Sequence, residues 1–269
     1  MFRGDIEELT STKNAQPAIM AVSIAILRVM SFNGLDLKTI DLLAGHSLGE
    51  YSALCASEAI SLRDTAIVLR KRGIAMQKAV SEGKGLMVAV LGLTSEIVNE
   101  LMIKSKSDNH LIQVANDNDP SQVVISGEKK EVEKFTDFLK EKNAKRIIKL
   151  PVSAPFHSPL MKPAALTMET ELGKVNFSNP IVPIIQNVDL NIQCSNEGLV
   201  DRLVKQICGT VRWRESLIKM ADEYSIKNFF EIGPGKVLAG TVKRTIPDAN
   251  VLSVGLAPQI DQALEMISD

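Results

Sequence analysis

The run Gly45-His46-Ser47-Leu48-Gly49 fits G-x-S-x-G, a spacing in which glycines permit a sharp strand-to-helix turn with a serine hydroxyl held out at its apex. It follows the apolar stretch Ile40–Gly45, which suits a buried parallel strand, and precedes the helical composition of Tyr51–Glu58. A serine so placed lies near a helix N-terminus, whose amides and dipole favour the negative charge of a tetrahedral intermediate. The backbone N–H of Leu48 would be one oxyanion donor. A serine nucleophile needs a base, and the chain has 3 histidines. His46 adjoins the serine across a tight turn, where neighbours rarely face one another. His110 ends the polar run Ser105–His110, which reads as an exposed loop. His157 lies in the proline-pinned segment Pro151–Pro159, on the return from one compact unit to another, where clefts form and functional side chains gather; it is the favoured base. Arg72 shares a helical face with Leu69 and Met76. It either points inward, where its planar fork requires an anionic partner such as a carboxylate, or joins Arg70 and Lys71 as solvated surface.

The elements that must position these residues fall into three stretches. Pro17–Met30, apolar on nearly every face but interrupted by Ser23 and Arg28, reads as a helix buried in the core, capped by Asn14 or a neighbour, and short of the roughly 20 apolar residues of a membrane span. Ser61 is a fitting N-cap for a helix from Leu62 to about Val80. The middle changes rhythm: strand Leu86–Leu91, helix Ser95–Ile103 capped at Thr94, strands Leu111–Ala115 and Gln122–Ser126 joined by the turn-rich Asn116–Pro120, helix Glu128–Glu141, strand Lys145–Leu150. That β-α-β-β-α-β order is a ferredoxin-like unit. The expected division is a core of residues 1–82 and 152–269 with an insertion at 83–151. Beyond it come helices over Leu160–Lys174, Gly198–Cys208 and Trp213–Tyr224, a short strand at Pro183–Gln186, a strand Lys227–Ile232 ending at Gly233-Pro234-Gly235, a helix through Arg244 and a strand Asn250–Val254. Helices alternating with short apolar strands imply an α/β core built on a parallel sheet.

Composition narrows the function. With 269 residues, 31 Lys+Arg against 32 Asp+Glu and a formal charge of -1, the chain is of ordinary globular composition, without wholesale attraction for nucleic acid or membrane. Cys55, Cys194 and Cys208 have neither disulfide-framework nor zinc-site spacing. At 4% aromatic residues, a stacking platform for single strands is disfavoured.

AGHSLGEYSAL, KRGIAMQ, QVVISG, LPVSAPFHSPLMKPAA and FFEIGPGKVLAGTVKR resemble the malonyl-CoA:acyl-carrier-protein transacylases of type II fatty acid synthesis, from about Gln16 to the C-terminal end. The resemblance implies a hydrolase-like α/β core with a ferredoxin-like insertion. It makes Ser47 the acyl-accepting nucleophile and His157 its general base. The backbone carbonyl of Gln206 would orient the histidine and Leu48 N–H would serve the oxyanion. Arg72 would bind the malonate carboxylate, Phe156 would exclude bulkier α-substituents, and His46 joins them in substrate binding. It further implies malonyl-CoA as substrate, an acidic acyl carrier protein as partner, no metal or cofactor, and a cytoplasmic monomer with no nucleic-acid or membrane partner. A local basic face is then expected among Lys145, Arg146, Lys149, Lys162, Lys236, Lys243 and Arg244. The chain departs from the family in one respect. Members open with a strand ending in a Gly-Gln-Gly-Ser-Gln loop that supplies a second oxyanion amide, and no such motif occurs here. One missing donor corresponds to roughly 2.7–4 kcal/mol of transition-state stabilisation. A serine esterase or thioesterase, and a truncated transacylase of weak or no activity, are the alternatives.

Overall fold

The computed structural model describes residues 3–105, 110–142, 144–152 and 154–268. Its elements in chain order are helices α1 (Ile6–Thr10), α2 (Thr12–Phe32), α3 (Leu48–Ala56) and α4 (Leu62–Lys78); then strand β1 (Gly85–Leu91), α5 (Ser95–Lys104), β2 (Ile112–Asp119), β3 (Gln122–Glu128), α6 (Lys129–Lys140) and β4 (Arg146–Lys149). They continue with α7 (Lys162–Leu172), β5 (Ile184–Ile185), β6 (Ile192–Gln193), α8 (Leu199–Cys208), α9 (Trp213–Tyr224), β7 (Asn228–Ile232), α10 (Val237–Thr245), β8 (Asn250–Val254) and α11 (Ala257–Ser268).

Strands β1 to β4 form an antiparallel sheet in the order β2-β3-β1-β4. Side chains alternate across it, as a period of two requires. Leu86, Val88 and Val90 meet Val98 and Met102 of α5 and Val132, Phe135 and Leu139 of α6. Met87 and Ala89 point to the other face, where Ile148 and Phe156 pack. The buried positions of α6, Val132, Phe135, Thr136 and Leu139, have the i, i+3, i+4, i+7 spacing of one helical face. Residues 85–149 therefore carry an apolar cluster of their own.

Outside it, one cluster joins α2, α3, α4, α7 and α8 around Met20, Tyr51, Leu54, Leu69, Met76, Met168 and Leu203, a second gathers around Trp213 and Leu217 of α9, and a third joins Met30 to Val254 and Ile260. β7 and β8 pair in parallel. The expected strand before the G-x-S-x-G turn is reduced to one parallel bridge, Leu43 to Ile184. Leu43 N–H donates to Pro183 O at 2.9 Å, and Leu43 O accepts from Ile185 N–H at 3.0 Å.

Helix α2 differs from its expectation. It begins at Thr12, with Ser11 rather than Asn14 at the N-cap position, and only Gln16, Met20, Ile24 and Met30 are buried. Phe32 is 91% exposed and Val29 is 47% exposed, so the apolar outer face is not core. Among the described residues α2 is the one helix long and apolar enough to cross a membrane by length and composition. Its inner face lies against α4 at backbone contact: a Cβ on Gly73 would fall 2.6 Å from Lys13 Cα and from Thr12 O. That close crossing carries Gln16 to the interior beside Arg72.

The second difference lies in β2. The run Asn116–Asp119 reads as a turn, yet it continues the strand through two register shifts. Its polar groups are met from the core. Val211 N–H donates to Ala115 O (2.9 Å) and Asp117 N–H to Val211 O (3.0 Å). Buried Asp117 takes Arg214, and buried Asp119 takes Arg244 at 2.8 Å.

Candidate active site

Ser47 sits between the Leu43 bridge and α3 with φ 54° and ψ -105°. A non-glycine residue at positive φ is uncommon and persists only where the surroundings enforce it. Here Ser47 N–H donates to Asn187 Oδ1 at 2.8 Å, while Asn187 Nδ2 donates to Gly45 O at 2.8 Å, so one amide pins both limbs of the elbow. Gly45 is required sterically, since a Cβ there would lie 2.0 Å from the Gly49 carbonyl carbon; a Cβ on Gly49 meets nothing within 4 Å. The sharp turn thus depends on the first glycine of the motif. Leu48 opens α3, so its N–H belongs to the first turn, where amides lack intrahelical partners.

His157 has φ 53° and is buried. Its Nδ1 lies 2.8 Å from Gln206 O and its Nε2 lies 2.7 Å from Ser47 Oγ. A carbonyl only accepts, so Nδ1 carries the proton and Nε2 is left to accept from the serine hydroxyl. Burial, and then the positive charge of Arg72, bring the imidazole from its ordinary 6.5 down to about 3. It is neutral, hence a proton acceptor, at physiological pH.

Arg72 points inward, at 1% exposure. Its Nη1 donates to Gln16 Oε1 (2.7 Å), and its Nη2 donates to Gln206 Oε1 (2.9 Å) and Ser47 Oγ (3.0 Å). Its Cζ lies 5.4 Å from the Tyr51 ring centroid. Nε is buried without a hydrogen-bond partner. Nε and one terminal nitrogen share an edge of the planar guanidinium, a geometry that suits a carboxylate bidentately. All three acceptors hydrogen-bonded to Arg72 are neutral, and Glu50 acts on its charge only through space, so an anionic substrate group would be its first direct ion-pair partner. Burial lowers the Arg72 pKa, and the phenol of Tyr51 is pushed up to about 12 by burial.

The other site residues lie around this centre. His46 Nε2 is 2.9 Å from Asn118 Oδ1, and its ring stands edge-on to Trp213 with centroids 5.7 Å apart. Burial lowers the His46 pKa. Phe156 packs between the central cluster and the outer face of the four-stranded sheet. His110 is exposed. Sequence reasoning missed Gln16, Glu50, Gln113, Asn118 and Asn187. Gln113, on β2, donates through Nε2 to both His157 O and Cys208 O at 2.6 Å, tying the sheet to the catalytic loop. Of these, Glu50 alone had a local signal, because it stands three residues from Ser47 on one helical face.

A serine on a strained elbow, hydrogen-bonded to a neutral histidine and flanked by a buried arginine, fits an acyl-transfer enzyme of the α/β class. The acyl transferase domain family matches residues 2–266. The chain is 42% identical over 269 residues to the malonyl CoA-acyl carrier protein transacylase of Bacillus subtilis (strain 168), covering 100% of this chain and 84% of that protein. It is 38% identical over 264 residues to the enzyme of that name from Escherichia coli (strain K12), covering 98% and 84%. Among solved structures, the acyl-carrier-protein S-malonyltransferase of Bartonella henselae superposes with TM-score 0.95 at 47% identity, over 99% of this chain and 85% of that one. A malonyl-transacylase solved in complex with its type II polyketide acyl carrier protein superposes with TM-score 0.93 at 38% identity, over 98% and 84%. The chain belongs to the acyl transferase domain family.

Proposed function

We propose that this protein transfers a malonyl group from malonyl-CoA to the phosphopantetheine thiol of an acyl carrier protein, through a malonyl ester on Ser47. The observation that carries this reading is the buried guanidinium of Arg72, 3.0 Å from Ser47 Oγ with its Nε unpartnered. In the first half-reaction His157 Nε2 takes the hydroxyl proton as Ser47 Oγ attacks the thioester carbonyl. The Leu48 N–H faces the developing oxyanion. The C–S bond then breaks, and His157 returns the proton to the coenzyme A sulfur. In the second half-reaction His157 removes the proton of the carrier thiol, whose sulfur attacks the ester. The C–O bond breaks and the proton returns to Ser47. Gln206 O holds the imidazole in the required tautomer throughout. Arg72 anchors the free carboxylate, and Phe156 and His46 line the acyl site. No step requires a metal or cofactor.

A serine esterase would use Ser47 and His157 alone, and a buried cation against the nucleophile favours an acyl group that bears a carboxylate. Residues 83–151 are read as an inserted unit, supported by their separate apolar cluster. An acidic carrier would meet the exposed Lys145, Arg146, Lys149, Lys162 and Lys236. Lys243 and Arg244 are exposed as well, the first donating to Ala249 O and the second paired with Asp119. Carrier binding should weaken steeply with salt; salt-independent affinity would overturn the charged face. The near-neutral total charge is in keeping with a cytoplasmic chain without nucleic-acid or membrane partners. Intact-mass measurement after mixing with malonyl-CoA tests the function. A malonyl adduct on wild type, absent from Ser47→Ala and discharged by holo carrier protein, is expected. No adduct on wild type refutes the reading.

A further inference from the structure

Glu50 is a buried carboxylate that the steps above do not use. It sits in the first turn of α3, at 1% exposure. Its Oε2 accepts from Asn187 N–H at 3.0 Å and from Gln206 Nε2 at 2.9 Å. Both partners serve the site by their other atoms. Asn187 Oδ1 fixes the Ser47 amide. Gln206 Nε2 also donates to Ser47 O at 2.9 Å, its Oε1 receives Arg72 Nη2, and its main-chain O receives His157 Nδ1. Nucleophile, base and carboxylate-binding cation therefore converge on one glutamine. That glutamine could rotate its amide were there no acceptor to define which end is nitrogen. With Glu50 Oε2 and Ser47 O on one side and the Arg72 donor on the other, one orientation satisfies all three.

We propose that Glu50 is a positioning residue for acyl transfer: its carboxylate, fixed beneath the elbow, holds the Asn187 backbone and the Gln206 side chain that grip Ser47 N–H and Ser47 O, and so keeps Ser47 Oγ aimed at His157 Nε2. The proposal rests on the roles given above to Ser47, His157 and Arg72. A carboxylate makes charge-assisted hydrogen bonds, roughly twice as strong as neutral ones. An amide in its place could put its oxygen at the Oε2 position and keep both bonds, but as neutral ones, and it would bring an NH2 group where Glu50 has its second carboxylate oxygen.

The electrostatics argue that this carboxylate is not there for stability. Burial raises the Glu50 carboxyl from 4.5 to about 7, against the hydrogen bonds of Gln206 and Asn187 and the charge of Arg72, which lower it. The folded pKa lies above the unfolded one. The stabilisation belongs to the protonated form, is complete below about 4.5 and is lost as pH rises through about 7. In the ionised state Glu50 therefore opposes folding, while its acceptor strength serves the site. The charged or titratable groups facing it are Arg72 from α4, Asp189 from the loop after β5, and the neighbouring Tyr51 of α3.

The test is rapid-quench loading of Ser47 from malonyl-CoA, read by intact mass, on wild type and Glu50→Gln. The expected variant loads roughly 10- to 100-fold more slowly at saturating malonyl-CoA, a partial loss of the roughly 10²–10⁴ that a positioned general base contributes. Its half-saturating concentration stays within about threefold of wild type, since Gln16 still holds Arg72. Its melting temperature at pH 8 is not lowered. The wild-type loading rate rises with pH through about 7, and the variant profile lacks that rise. A variant rate within about twofold of wild type, or a variant that keeps the neutral inflection, overturns the proposal. Should Glu50→Gln fail to fold, Glu50→Asp in the same assay decides: a loading rate within about twofold of wild type overturns the proposal. If wild type forms no malonyl adduct at all, it is the functional reading that fails.

Discussion

Replacing Arg72 by alanine should collapse the preference for malonyl over acetyl groups, and the structure sets the size of the effect. In the free protein Arg72 donates to Gln16, Gln206 and Ser47 Oγ and leaves Nε unpaired. A malonyl carboxylate would take the Nε edge, and an acetyl group has nothing to place there. Removing one partner of a buried, hydrogen-bonded ion pair costs about 3–5 kcal/mol. At 1.4 kcal/mol per decade, that is roughly a 100-fold to several-thousand-fold loss of malonyl loading. The substitution also opens a cavity and orphans the amide oxygens of Gln16 and Gln206. Those injuries fall on both substrates, so the informative quantity is the malonyl-to-acetyl ratio. Competition between malonyl-CoA and acetyl-CoA in one tube, with the two adducts on Ser47 resolved by mass, reads that ratio directly. A variant that loads slowly but keeps the wild-type ratio would refute the assignment of Arg72 to the carboxylate.

Gly45→Ala forces a Cβ to 2.0 Å from Gly49; a urea midpoint corresponding to a loss of about 2–3 kcal/mol is expected, against near neutrality for Gly49→Ala. Gln113→Leu leaves His157 O and Cys208 O without their side-chain donor; loading should fall about tenfold with little change in half-saturation, as stopped-time mass measurements would show. His157 is held down to about 3 in the folded state from 6.5. The unfolded chain therefore takes up the proton first, and the contribution of His157 to stability, complete above about 6.5, declines as pH falls toward 3. Urea titrations at pH 7 and pH 5 should show a larger loss for wild type than for His157→Gln.

The parts of the site that could be read from sequence were those whose chemistry is local. The elbow announces itself because Gly45 and Ser47 are two residues apart and the steric demand is met within one turn. Arg72 was half legible: its face shared with Leu69 and Met76 allowed an inward position, but Arg70 and Lys71 beside it left solvated surface equally open. The partners that aim these groups were not legible, because each is supplied across a long sequence separation: Asn187 to Ser47 over 140 residues, Gln16 to Arg72 over 56, Gln113 to His157 over 44. The same reason explains the misread turn at Asn116–Asp119. Asn and Asp favour turns because their side chains otherwise bond the nearby backbone, and Pro because its ring fixes φ. In the folded chain His46, Arg214 and Arg244 claim those side chains and Val211 claims the backbone, so the run stays extended. Helix α2 failed in the opposite sense, its apolar composition giving no hint of which face meets α4.

The rung between β2 and Val211 has a consequence for engineering. With Gln113 gripping the carbonyl of His157 and two aspartates plugged into α9 and α10, residues 85–149 are not a removable cassette. A chimera that imports this unit from a relative would have to bring matching side chains on the 208–214 stretch and on Arg244. Otherwise the graft would fold on its own apolar cluster and still leave the histidine mis-aimed, giving a soluble hybrid that binds substrate and does not turn it over.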